Sequence, residues 1–152
     1  MLGGDFETPR GDWVFRGEGA FFFRDPVQRD GPPGIERHTS FQGGVGADRR
    51  MGDATLFLNA LYQRAPGTAT PDEVSVVFGL SGTFSRGTRT AKAFGIYNAR
   101  SESAFLRTVF SQEVVENLRL EGEAGVFLGE GGLALGLLSD SDFVLARLRV
   151  YF

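Results

Sequence analysis

The sequence contains no cysteine, one histidine and, among 16 basic residues, a single lysine, Lys92. Without thiols there are no disulfides, thiolate metal sites or cysteine nucleophiles, and redox compartment cannot be read from cysteine usage. A net charge of −3 with no clustered basic excess argues against a nucleic-acid partner. No stretch approaches the ~18 to 20 consecutive apolar residues of a membrane-spanning helix. The start, MLGGDFETPRG, lacks the basic and apolar regions of a signal peptide. Helical three-and-four spacing is nowhere sustained. The chain is therefore soluble, or a mature or engineered form, or it crosses a membrane as strands. There is no G-x-S-x-G, P-loop or metal-binding spacing, so no catalytic activity, metal or cofactor is expected. His38 with Ser40 two residues on makes a lipase-like pair conceivable, but reads rather as a histidine at a loop rim.

What the sequence does contain is glycine (22 residues), phenylalanine (15) and period-two alternation between turn signals. Strand patterns cover 13–24, 39–48, 54–63, 74–85, 88–97, 103–111, 118–128 and 143–152. That is one domain of about eight strands, each close to the length that crosses a hydrocarbon core when tilted. The connections after the first, third and seventh strands are long. Those after the second, fourth and sixth are shorter, and the one after the fifth is short and breaks the alternation. The fold class expected is all-β, an antiparallel up-and-down transmembrane β-barrel, with both termini on the short-turn side. GPP in the first long connection and GTATPD in the second read as solvated outward loops that name no ligand.

Alternation gives each strand an apolar face and a second, charged face. The charged set is Arg16, Glu18, Asp48, Arg107, Arg119, Glu121, Glu123, Arg147 and Arg149. In 88–97 the orientation stays open, because Lys92 shares its face with Phe94 and Ile96. Alternation alone also fits a soluble ligand-binding barrel or sandwich. Three features select the membrane form. Lysine, the usual residue of exposed faces and edges in soluble sheets, is nearly absent. Glycines within strands let a tightly curved wall bend. Rings stand at strand ends of the apolar face (Trp13, Phe23, Tyr62, Phe84, Tyr97, Phe110 and Phe152), as in an aromatic girdle at two membrane interfaces. The apolar face then meets lipid and the charged face a lumen.

The tail VLARLRVYF resembles the C-terminal strand of bacterial outer-membrane β-barrel proteins, with Val144, Ala146, Leu148, Val150 and Phe152 at alternate positions. The resemblance implies a Gram-negative outer membrane, the lipid bilayer as partner, and recognition of this strand by the barrel-assembly machinery. More loosely, DFETPRGDWVFRGEGAFFF followed by VGADRRMGDATLFLNALYQ resembles the last strands of porin-like barrels. By that likeness residues 1–12 are the remnant of a preceding strand and its turn, and 13–152 the barrel domain. The chain would then be the C-terminal part of a larger barrel, truncated or engineered to close alone.

The candidate lumen network is Arg16, Glu18, Arg107, Arg119, Glu121, Glu123, Arg147 and Arg149. If the first and last strands meet, these charges converge on one sector. In eight strands, whose interior side chains can just fill, they form an internal salt-bridge plug in a non-catalytic scaffold or occluded barrel. In a wider barrel the same residues line a pore for passive solute diffusion.

Overall fold

Backbone pairing follows the alternation of the sequence through a single layer. The computed structural model describes residues 1–28, 35–66, 72–129, 135 and 138–152. Nine strands, β1 (Leu2–Arg10), β2 (Trp13–Gln28), β3 (Ile35–Met51), β4 (Ala54–Arg64), β5 (Asp72–Phe84), β6 (Arg89–Asn98), β7 (Ser103–Val115), β8 (Leu118–Leu128) and β9 (Phe143–Val150), form one sheet in chain order. Every neighbouring pair is antiparallel. The strand beyond the eight read from the sequence is β1, laddered to β2 from Leu2↔Phe21 to Arg10↔Trp13.

Tight turns close one end of the sheet, at 11–12, 52–53, 85–88 and 116–117. Left-handed backbone is needed there, at Gly11 (φ 62°) and at Asn117 (φ 67°), where a short polar side chain tolerates it. The connections at the other end are 29–34, 65–71, 99–102 and 129–142. The compact one, 99–102, which broke the expected alternation, has a local cause. Asn98 Oδ1 accepts from the backbone N–H groups of Arg100 (3.1 Å) and Ser101 (3.0 Å), while its Nδ2 donates to Glu73 across the sheet. Nine strands also correct the expected placement of the termini. β1 starts at the long-connection end and β9 finishes at the short-turn end.

β2 and β3 run further than their sequence patterns. After a bulge at Phe22/Asp25, pairing resumes at Asp25↔His38 and continues to Gln28↔Ile35. β1 stops opposite Phe21 and β4 opposite Phe41, so this outer part is a two-stranded ribbon beyond the rest of the sheet. Pro26 is tolerated there because one edge of the ribbon strand is unpaired. GPP and most of GTATPD lie outside the described residues.

Among the described residues nothing is stacked on the sheet. Ala65 is the one buried apolar side chain among the described residues, and the accessible surface is 10677 Å². A compact monomer of this mass would expose about 7,500 Å². A soluble ligand-binding barrel would instead enclose an apolar core. Within the described residues β1 and β9 are the two edges, with no ladder between them.

Candidate functional site

Because directly opposed residues share a face, the ladders carry two coherent surfaces across all nine strands. One surface holds Phe15, Val45, Leu58, Phe78, Leu106, Leu120 and Leu148, and its charges, such as Arg10, Arg49, Arg64, Asp72 and Arg89, fall at strand ends. The other holds every member of the expected lumen network. Register also settles β6: Lys92, Phe94 and Ile96 oppose Ser81, Gly79 and Val77 on the charged surface.

The sheet is hollow on its charged side. A trough of about 670 Å³ spans β1 to β5, bordered by Asp5, Glu18, Gln42, Gln63 and Glu73, and a second of about 240 Å³ adjoins it beside Glu7 and Arg16. The apolar surface is therefore the convex one. This curvature is the reverse of a soluble barrel, whose hollow side is apolar.

The charged residues form separate groups. Arg16 bridges Glu7 (3.3 Å) and Asp48 across β1, β2 and β3. Arg107 pairs with Glu123 at 2.8 Å. Glu121 Oε1 accepts from both Arg147 (2.9 Å) and Arg149 (3.2 Å). Glu18, Arg119 and Lys92 make no ion pair among the described residues. The expected convergence on one sector required the terminal strands to be neighbours; here Arg16 and Arg147 lie near opposite edges of the sheet. Nor are these arginines buried: the side chains of Arg16, Arg107, Arg147 and Arg149 are about half exposed, whereas that of Glu121 is only 14% exposed. Acidic residues dominate the hollow face of β1 to β5, and basic residues that of β6 to β9.

The same face also carries an apolar island, whose members alternation places there but only the ladders bring together. Phe57, Val77, Phe94, Ile96, Phe105, Phe127 and Phe143 are contiguous across β4 to β9. Ring centroids are 6.5 Å apart for Phe94–Phe105 and 4.4 Å for Phe105–Phe127. Glycine makes room for it: Phe57 lies over Gly79 and Phe143 over Gly125, where any Cβ would overlap the ring.

Of the girdle residues, Trp13, Phe84 and Phe110 lie on the convex face toward the short turns, and Tyr62 and Tyr97 toward the other end. Phe23 sits in the β2 bulge. Val144, Ala146, Leu148 and Val150 share the convex face. Phe152 lies beyond the end of β9, fully exposed, although the Tyr151 N–H still donates to the Asn117 carbonyl at 2.9 Å. His38 is within β3 rather than at a loop rim, and Ser40 is 1% exposed. Among the described residues no group of three or more His, Asp or Glu could hold a metal ion, and no helix is long and apolar enough to cross a membrane.

One antiparallel meander, charged on its hollow side and apolar on its convex side, defines the fold as that of outer-membrane β-barrels. No protein-family model and no curated protein matches the sequence. Two solved structures are similar in fold. One is in-vitro folded OmpT, an outer membrane protein of Vibrio cholerae, in its trimer form (TM-score 0.55, 12% identity, 97% of this chain and 54% of that one). The other is the OmpT loop L8 deletion mutant (TM-score 0.55, 11% identity, 83% of this chain and 47% of that one). The chain thus spans about half the length of these neighbours. Both are bacterial outer-membrane proteins, in agreement with the localisation expected from the sequence.

Proposed function

We propose that this chain is about half of the wall of a Gram-negative outer-membrane barrel, and that its hollow face lines a water-filled pore for passive solute diffusion. The observation that carries the reading is the coincidence of curvature and charge. The hollow side carries Arg16, Arg107, Arg147 and Arg149 with their carboxylates, the kind of charged lining a water-filled lumen uses. In hydrocarbon, unpaired edge groups cost several kcal/mol each, so in the membrane β1 and β9 are each paired, with one another or with further strands. The division of the hollow face into an acidic and a basic half would set a field across such a lumen. No catalytic step is part of the reading. The bilayer contacts the convex face, and by resemblance the barrel-assembly machinery reads the tail ending at Phe152.

A second reading, the occluded scaffold, is favoured by the Phe94–Phe105–Phe127 row, which would pack if the sheet closed tightly. Conductance in a planar bilayer separates the two, using the assembled barrel that contains this chain, shown to be folded by heat-dependent gel mobility. Discrete, long-lived current steps are expected from a pore. Silence from folded protein would reject the pore and leave the scaffold.

A further inference from the structure

The convex face is not uniformly apolar at its short-turn rim. Arg10, the last residue of β1, Trp13, the first of β2, and Arg49, near the end of β3, stand directly opposite one another in a single cross-strand row. Arg49 Cζ lies 5.2 Å from the indole centroid, and the indole stacks on Phe15 with centroids 6.0 Å apart. Neither Arg10 nor Arg49 makes an ion pair among the described residues, and Asp12, in the intervening turn, pairs with neither. Arg89, at the start of β6 on the same face and rim, is likewise without a carboxylate partner. The opposite rim behaves differently. There the outward Arg64 lies 3.8 Å from Asp72, and Tyr62 donates to the same carboxylate at 2.9 Å. Among the described residues, Arg64 at the long-connection rim thus has a carboxylate beside it, whereas Arg10, Arg49 and Arg89 at the short-turn rim have none.

We propose that the Arg10–Trp13–Arg49 row is a head-group site for an anionic phospholipid of the leaflet at the short-turn end. The guanidinium fork matches phosphate oxygens bidentately. An indole at the interface packs its apolar body against the upper acyl chain and keeps its N–H near the head group. Each guanidinium near the membrane surface favours an anionic over a neutral lipid by about fivefold. Short turns face the periplasm in barrels of this class, so the lipid is one of the inner leaflet. The proposal rests on the reading that the convex face meets lipid, and its test separates the two.

Trp13 is the only tryptophan, so its fluorescence reports this site alone. The whole chain is folded into equimolar phosphatidylglycerol/phosphatidylcholine vesicles in which one lipid or the other carries brominated acyl chains. Brominated phosphatidylglycerol is expected to quench Trp13 more strongly than brominated phosphatidylcholine. The difference should vanish in R10Q/R49Q and persist in R64Q. Equal quenching of the unmodified chain by both lipids would overturn the proposal while leaving the convex face in lipid. No quenching by either would overturn the face assignment beneath it. A preference that survives in R10Q/R49Q would also overturn the proposal. Should that variant fail to insert, the comparison on the unmodified chain decides alone.

Discussion

Leu58 and Asn59 are neighbours on β4 whose side chains point to opposite faces, which makes them a direct probe of what each face meets. Leu58 is on the convex face opposite Ala47 and Phe78 and is 53% exposed in the sheet, so protein contacts contribute little to the cost of a charge there. If the convex face is in lipid, Leu58→Arg costs about 2 to 4 kcal/mol, the range for an arginine near the bilayer midplane. That is roughly a 30- to 900-fold shift in the folding equilibrium. The penalty decays with depth, so Leu56→Arg should cost less and Ala54→Arg, at the end of the strand, about 0 to 1 kcal/mol. Asn59→Arg places the same charge one residue away on the hollow face and should cost much less than Leu58→Arg. The assay is reversible denaturant unfolding from lipid vesicles. A flat series along Leu58, Leu56 and Ala54, or an Asn59→Arg penalty equal to that of Leu58→Arg, would refute the assignment of the faces.

Three other outcomes follow from the same geometry. Glu121→Gln removes the carboxylate shared by Arg147 and Arg149. Because both cations are half exposed, the thermal midpoint should change little, while the reversal potential of the open pore should move toward anion selectivity. Gly125→Val forces Phe143 aside and should destabilise the fold by about 1 to 3 kcal/mol, whereas Gly122→Ala, with nothing within 4 Å of the new Cβ, should be tolerated; denaturant midpoints compare them. Phe152→Ala should leave folding in vitro near normal, since this residue lies beyond β9. It should lower the yield of assembled barrel in cells if the tail is what the assembly machinery reads.

The faces were legible in the sequence because alternation is local. Trp13 to Arg24 and 118–128 show apolar and charged positions without reference to any partner strand. The properties that depend on partners were not legible. That Leu2–Arg10 is a strand with a turn after it was legible only through its likeness to porin-like barrels, since Gly3, Gly4 and Pro9 carry little strand propensity of their own; the ladder to β2 bears it out. The extension of β2 and β3 through Asp25–Gln28 and Ile35–Arg37 depends on hairpin pairing that a proline in the pattern obscures. The orientation of β6 was ambiguous because Lys92 is flanked by Phe94 and Ile96; only their register with Ser81 and Val77 resolves it. The grouping of charges was not legible for the same reason. Arg16 finds Glu7 and Asp48 on adjacent strands, while bringing it toward Arg147 requires a closing ladder, and closure depends on strand number rather than on any local pattern.

The central claim is that the charged hollow face meets water and the apolar convex face meets lipid. The cysteine-free chain suits a direct test by single-cysteine substitution along β4 in proteoliposomes, with labelling by a membrane-impermeant thiol reagent. The account predicts a period of two, with Phe57, Asn59 and Leu61 positions labelled and Leu56, Leu58 and Ala60 positions protected. Labelling without alternation, or alternation in the opposite phase, would contradict it.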